Sequence, residues 1–296
     1  MDPYAHRLAN ALVGNAPADA TLEVTLVGPE LESDDERMIA MTGAELELTV
    51  DARPVPMHTA VALRPRSRLK CGRRLRGARA YLAVSGGIDV PPVFGSRATH
   101  LGTVIGGFDG RALRAGDVLP IGPRAGRVGS PADSFRQAPV GSPQLQANVD
   151  DQPDLSNGYA RVRVLPGPHH DVFALDALTA LQASSYRIDS RSDRMGFRLE
   201  GTPLRRTLET EMISDATAMG ALQIPGSGQP ILLMADRQTT GGYPTIATVI
   251  TADLGLAGQL APGDSIAFVV CSQAEAMAAL IARERRILAV SRPESA

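Results

Sequence analysis

Short stretches that alternate apolar and polar residues, each stopped by glycine or proline, recur along this chain. Leu22–Val27, Ala44–Val50 and Arg161–Leu165 keep a period of two, which sends successive side chains to opposite faces of a strand. Ala80–Val84 and Ile231–Met234 are continuous apolar runs, the pattern of strands buried on both faces. With 29 glycines and 22 prolines interrupting these runs over 296 residues, long helices have little room. The expected class is mainly β, made of closed sheets with a few peripheral helices. At roughly 150 residues per domain, the length suggests about two domains.

Three helices are expected. Asp2 caps the first, Pro3 opens it, Leu8, Ala11 and Leu12 share a face, and Gly14 closes it. A second begins after Asp171 with Val172, Leu175, Leu178 and Leu181 on one side. The third starts at a Ser272–Glu275 capping box and carries Met277, Leu280, Ile281 and Leu288. All three apolar stripes read as core packing. From Gly122 to Gly158 the chain turns rich in Gly, Pro, Ser, Gln and Asp and reads as a linker, 122–158, between domains 1–121 and 159–296. Turn signals echo across it. Gly28-Pro29 is matched by Gly167-Pro168, Gly86-Gly87 by Gly241-Gly242, and the Leu113…Gly116-Asp117 turn by Leu260…Gly263-Asp264. Their common order suggests two related barrels.

Composition removes several functions. The 30 basic and 32 acidic side chains balance to −2, so nothing marks a nucleic-acid binder. Lys70 is the sole lysine, and no glycine-rich run precedes it, which excludes a P-loop. A Schiff-base enzyme would have to use the same residue, and so would a biotin carrier, whose flanking turn is missing. Phosphates or carboxylates must therefore be met by arginine forks and backbone amides. The two cysteines, Cys71 and Cys271, read as reduced thiols. The five histidines show no metal-ligand spacing, and His169-His170 reads as a turn, so no metal is expected. No signal peptide or membrane-length apolar run is recognisable, which points to the cytoplasm and to no membrane partner. No Gly-x-Ser-x-Gly elbow supports a serine nucleophile.

Several segments are harder to explain as packing. Asn10 and Asn15 flank the end of the first helix, where local backbone bonding is the simple alternative to a ligand role. Gly86-Gly87 after a buried strand, followed by Ser96-Arg97, permits close approach by a ligand or forms a barrel corner. Arg194 and Arg198 around Gly196 form either an anion clamp or an exposed ion-pair strand. The densest segment joins Gln223 to Asp236-Arg237-Gln238-Thr239-Thr240-Gly241-Gly242-Tyr243, a polar exit that a core strand does not need. In this reading Gly241-Gly242 turns the backbone back, Arg237 offers a fork to an anion, and Asp236 orients that fork or a water. The alternative is that Asp236 and Arg237 pair with each other and brace the loop.

These segments together resemble the biotin-dependent carboxyltransferase-like family called allophanate hydrolase subunit 2, which includes the C subunit of bacterial 5-oxoprolinase and Kip-type antagonists. The resemblance runs through Ala9-Asn10 with Leu12–Asn15, Tyr81–Val84 with Gly86–Asp89, and Gly95–Thr99. It continues through Gly106–Phe108 with Gly110–Leu113, Asp193–Gly196 and Asp236–Tyr243, the most specific motif. It implies two cyclophilin-like β-barrels, the first lacking an N-terminal segment with a Gln-Asp-x-Gly-Arg motif. It also implies the C subunit of an ATP-dependent hydrolase that opens 5-oxoproline to glutamate together with the B and A subunits of the same system. ATP is then the cofactor, held by or shared with a partner, with no biotin on this chain and negligible activity expected for the chain alone. Asp236 and Arg237 become the implied catalytic residues. Arg194, Arg198, Gln223, Thr239, Thr240, Gly241, Gly242, Tyr243, Asn10, Asn15, Gly86, Gly87, Ser96 and Arg97 become the implied contacts of a small amide substrate. Two alternatives accompany the resemblance: carboxyl transfer from a separate biotin carrier to urea or a similar amide, and a non-enzymatic regulator that binds a kinase inhibitor resembling the B subunit.

Overall fold

A computed structural model of the chain describes residues 1–123, 143–146, 155–207 and 213–291. It divides into two compact units, Pro3–Gln152 with Arg285–Ala296, and Met1–Asp2 with Pro153–Glu284. Both are dominated by strands, as the period-two runs require.

The N-terminal unit begins with helix α1 (Pro3–Leu12) and strands β1 (Leu22–Thr25), β2 (Glu30–Glu32) and β3 (Arg37–Val50). Strands β4 (Arg53–Pro54), β5 (Thr59–Leu63), β6 (Arg68–Val84) and β7 (Pro143–Gln146) follow. Their order is β1-β6-β3-β5-β7, with β2 also on β6 and β4 on β3. Alternation along β3 explains how the sheet is covered on two sides. Ile39, Met41, Leu46, Leu48 and Val50 join one core with Leu69 and Leu82. Met38 and Ala40 face the other way and pack with Ala60, Ala62 and Ala83 against Ala5, Leu8 and Leu12 of α1. The small alanines let the helix lie close, and Thr42 Oγ1 donates to the Ala5 carbonyl at 2.6 Å. Bulges between Gly43 and Leu48 break the register of the long β3–β6 pair and bend both strands. Strand β6 is rich in cations, but Glu32, Glu47 and Glu45 meet Arg68, Arg73 and Arg76 at 3.0, 3.2 and 2.6 Å.

The C-terminal unit contains β8 (Tyr159–Pro166), helix α2 (Ala177–Ala183), β9 (Ser185–Ile188) and β10 (Gly196–Glu200). Next come β11 (Asp215–Ala216), β12 (Ala221–Gln223), β13 (Ile231–Leu233), β14 (Thr240–Gly241) and β15 (Thr245–Val249). Helix α3 (Leu254–Gly258), β16 (Ser265–Val270) and helix α4 (Gln273–Ser291) as far as Glu284 complete it. Seven strands close a barrel in the order β10-β13-β12-β15-β8-β16-β9, while β11 and β14 form a separate ribbon. Alternate residues fill the barrel: Ala160, Val162 and Val164 from β8, Phe197 and Leu199 from β10, with Leu222, Leu232, Ile246 and Phe268. Outside, Asp253 accepts Arg163 Nε at 2.9 Å and Nη2 at 2.7 Å.

Some expectations change. The second helix starts at Ala177 instead of after Asp171, because His170–Val172 forms a single tight 3-10 turn first. Leu181 of that helix is buried but Leu175 is fully exposed. The capping box of α4 is present, with the Ser272 amide donating to Glu275 at 2.7 Å and the Glu275 amide to Ser272 Oγ at 3.2 Å. Its stripe is not core: Met277, Ile281 and Leu288 are exposed and Ile287 is the buried side chain. Of the stretch read as a linker, 124–142 and 147–154 lie outside the described residues, and Pro143–Gln146 pairs with β5.

Candidate active site

Strand β13 ends at Leu233, beside Gly196 and bonded to the Gly220 amide, whereas β15 begins at Thr245, opposite Gln223. These registers place the two residues at opposite ends of the short strand β12. The chain from Ala235 to Pro244 must therefore cross the outer face of β12. Gln223 is the peg for that crossing. Its neighbour Leu222 points into the barrel core, so Gln223 points outward, yet it is only 2% exposed because the crossing chain covers it. Gln223 Nε2 donates to the Tyr243 carbonyl at 3.3 Å. A side chain on Gly241 would lie 2.8 Å from that same nitrogen, so this glycine is needed for close approach.

The ribbon holds the crossing from the other side. Asp215 and Ala216 pair with Gly241 and Thr240, and the Thr217 amide donates to the Thr239 carbonyl at 3.0 Å. Thr217 Oγ1 bonds the Gln238 carbonyl, and Arg237 Nε donates to the Thr217 carbonyl at 3.2 Å. At the start of the crossing, Asp236 accepts Arg194 Nε at 2.8 Å and Nη2 at 3.1 Å, and the Asp236 amide donates to the Arg194 carbonyl at 2.8 Å.

Two readings of this loop are corrected by the geometry. Asp236 pairs with Arg194, not with Arg237, because Nε of Arg237 is turned to the Thr217 carbonyl. Gly241-Gly242 makes no left-handed turn; Gly241 runs in the ribbon, and neither glycine has a positive φ. The pairing also dissolves the expected Arg194–Arg198 clamp. Arg194 is filled by its carboxylate, and Arg198 stands exposed on β10. Thr239, Thr240, Gly242 and Tyr243 are exposed along the crossing.

The N-terminal candidates lie in the other compact unit and brace one another. Buried Asn10 donates to the Asp19 carbonyl at 2.8 Å and accepts from Asn15 Nδ2 at 3.0 Å. Asn15 also donates to the Val84 carbonyl at 2.8 Å and accepts the Gly86 amide at 2.9 Å. Arg37 Nη1 closes the Gly86-Gly87 turn by donating to the carbonyls of Ser85 and Gly122, each at 3.0 Å. Ser96 Oγ accepts the Ala98 amide at 3.2 Å, and Arg97 bonds the Val90 carbonyl and faces Asp89 at 3.8 Å. Local bonding of this kind uses the polar groups internally.

Two residues near the crossing had no motif to reveal them. Thr217 belongs to an undistinguished polar run. His169 was legible only as part of a turn, yet its Nδ1 accepts the Thr245 amide at 3.2 Å, which leaves the ring proton on Nε2. In the turn after β9, Asp189 accepts the Arg191 guanidinium at 2.5 Å, which holds its carboxyl well below the usual range. Among the described residues, no group of three His, Cys, Asp or Glu side chains is placed to hold a metal. Nor is there a phosphate cradle around the sole lysine: Lys70 lies within β6, opposite Glu30 and Thr49, with no glycine loop beside it.

The model of the carboxyltransferase domain, subdomain A and B, matches residues 1–270. The chain belongs to this family. Within it, the C subunit of 5-oxoprolinase from Escherichia coli (strain K12) is 40% identical over 279 residues, covering 94% of this chain and 84% of that one. Urea amidolyase of Saccharomyces cerevisiae is 33% identical over 286 residues, covering 92% of this chain but 15% of that one. The crystal structure of Kluyveromyces lactis urea carboxylase superposes with a TM-score of 0.86 at 30% identity, covering 98% of this chain and 26% of that one. The carboxyltransferase-domain fold thus carries both the barrel and the crossing that overlies it.

Proposed function

We propose that this carboxyltransferase-domain protein is the C subunit of a bacterial 5-oxoprolinase, a complex that opens the lactam of 5-oxoproline to glutamate at the expense of ATP. One observation supports this above the rest: the 40% identity to the E. coli protein extends over 94% of this chain and 84% of that one. A lactam is a resonance-stabilised amide, and activation of its oxygen by phosphorylation before water attacks makes it a usable electrophile. In this reading ATP is held by or shared with a partner, as no glycine-rich run precedes Lys70, the sole lysine. The chain contributes the polar crossing Asp236–Tyr243, whose exposed threonines and tyrosine, with the half-buried Arg237, receive the substrate. The B and A subunits are the proposed partners and the cytoplasm the proposed location, with both cysteines free thiols.

The test is co-expression with candidate B and A subunits, followed by assay of glutamate release with and without ATP. ATP-dependent release by the complex, and none by this chain alone, is the expected result. Release by the isolated chain would overturn the division of labour. The close superposition on urea carboxylase favours a second reading, carboxyl transfer to urea or a similar amide. That reading requires a separate biotinylated carrier, so carrier-dependent consumption of urea would select it.

A further inference from the structure

Three arginines line or approach the crossing, and their surroundings differ in a way that singles out one. Arg194 has its positive charge cancelled by Asp236 through a two-pronged contact. Arg198 projects from β10 into solvent, where hydration competes with any anion. Arg237 is half-buried, and the group that fixes it is a neutral main-chain carbonyl, that of Thr217 at 3.2 Å from Nε. Among the described residues, neither Nη1 nor Nη2 of Arg237 has a protein partner. A guanidinium held in this way keeps its full charge and presents two parallel N–H donors in a fixed plane. A planar carboxylate is the ligand that fits such a fork.

We infer that Arg237 is the receptor for the substrate carboxylate, and that Thr217 is the residue that orients it. The inference rests on the 5-oxoprolinase reading, in which the substrate carries one carboxylate beside its lactam. The ribbon then has a purpose. By pairing β11 with β14 and bonding the Thr239 carbonyl through the Thr217 amide, it fixes the plane of the Arg237 fork relative to the exposed Thr239 and Thr240 hydroxyls. Recognition of the carboxylate would select 5-oxoproline over lactams or ureas that lack one.

The experiment measures equilibrium binding of 5-oxoproline and of 2-pyrrolidinone, the same lactam without the carboxylate, to the assembled complex by calorimetry. The wild-type complex is expected to prefer 5-oxoproline. Arg237→Gln should weaken 5-oxoproline binding about 10- to 100-fold, the scale of hydrogen bonds to a charged group, and should abolish the preference. Arg237→Lys keeps the charge without the fork and should fall between, and it serves as the test if Arg237→Gln lowers the melting temperature. Unchanged 5-oxoproline affinity in both variants, with the wild-type preference intact, would place the carboxylate receptor elsewhere and overturn the inference while leaving the function standing. A wild-type complex that neither binds 5-oxoproline nor releases glutamate would instead remove the functional reading, and this inference with it.

Discussion

Two Gly-Gly pairs follow buried strands at similar places in the two units, and they do opposite things. Gly86 and Gly87 have φ of +97° and +72° and make a tight turn, sealed by the Gly122 backbone, Arg37 and Asn15. Gly241 and Gly242 adopt no positive φ; they belong to an extended crossing whose neighbours are Gln223 and Thr217. By contrast, the Leu113…Asp117 and Leu260…Asp264 turns are the same object twice. Gly116 and Gly263 have φ of +90° and +93°. Asp117 accepts the Arg114 amide at 2.7 Å, and Asp264 accepts the Ala261 amide at 2.8 Å. Scaffold turns repeat between the units, whereas the Gly-Gly pairs diverge where one unit seals itself and the other leaves polar groups outward.

The sharpest way to break this contrast is to add a methyl at each pair. Gly86→Ala should cost about 3 kcal/mol or more, because its Cβ overlaps the Gly122 carbonyl oxygen at a φ that alanine resists. Gly241→Ala should cost about 1 kcal/mol, since the atoms its Cβ would meet are the end of the Gln223 side chain and the Thr217 methyl, with no backbone among them. Urea unfolding of each variant gives the comparison, and equal losses would end it. The repeated turns should behave alike: Gly116→Ala and Gly263→Ala meet no atom within 4 Å, so each should lose about 1–2 kcal/mol from φ alone. A difference between them well beyond that range in thermal melts would show that the turns are not equivalent.

Much of the scaffold was readable because period-two alternation is local. Each apolar run seeds a strand, and the Pro3 and Ser272 helix starts stand where their caps predict. The loop's wiring was not readable. Asp236 meets Arg194 across 42 residues and His169 meets Thr245 across 76, and no local pattern encodes such pairings. The α4 stripe misled for a related reason: an apolar periodicity reports that a face exists, and tertiary context decides whether anything covers it.

Smaller effects sharpen the picture further. Asp236→Asn should cost about 1 kcal/mol, as befits a partly exposed pair, and should loosen the Asp193–Met195 turn in hydrogen exchange. Protection of that turn unchanged from wild type would show that the pair does not brace it. In the N-terminal unit, His6 bonds Thr21 Oγ1 at 2.9 Å and the Pro17 carbonyl at 3.0 Å. Burial lowers its pKa below the ordinary 6.5, with the Pro17 bond opposing. The unfolded chain therefore binds the proton more readily, and this contribution to stability falls as pH drops through 6.5. His6→Gln should flatten the melting temperature between pH 7 and 5; an identical slope in the variant would assign the dependence to other groups.

Strand β16 is the last barrel strand in the chain, yet it lies between β8, the first, and β9, and it runs parallel to β8 with Ser265 opposite Tyr159. Until it is inserted, β8 and β9 each keep an unpaired edge. On a ribosome, the ring therefore cannot close before the segment through Val270 has emerged, however early the other strands assemble. The half-made barrel is an open template for strand addition by other chains. Its closing contact is among the most distant in sequence, the kind that forms slowly. Closure is thus the last step in assembling this barrel, and its yield in a cell depends on how long those two edges stay shielded.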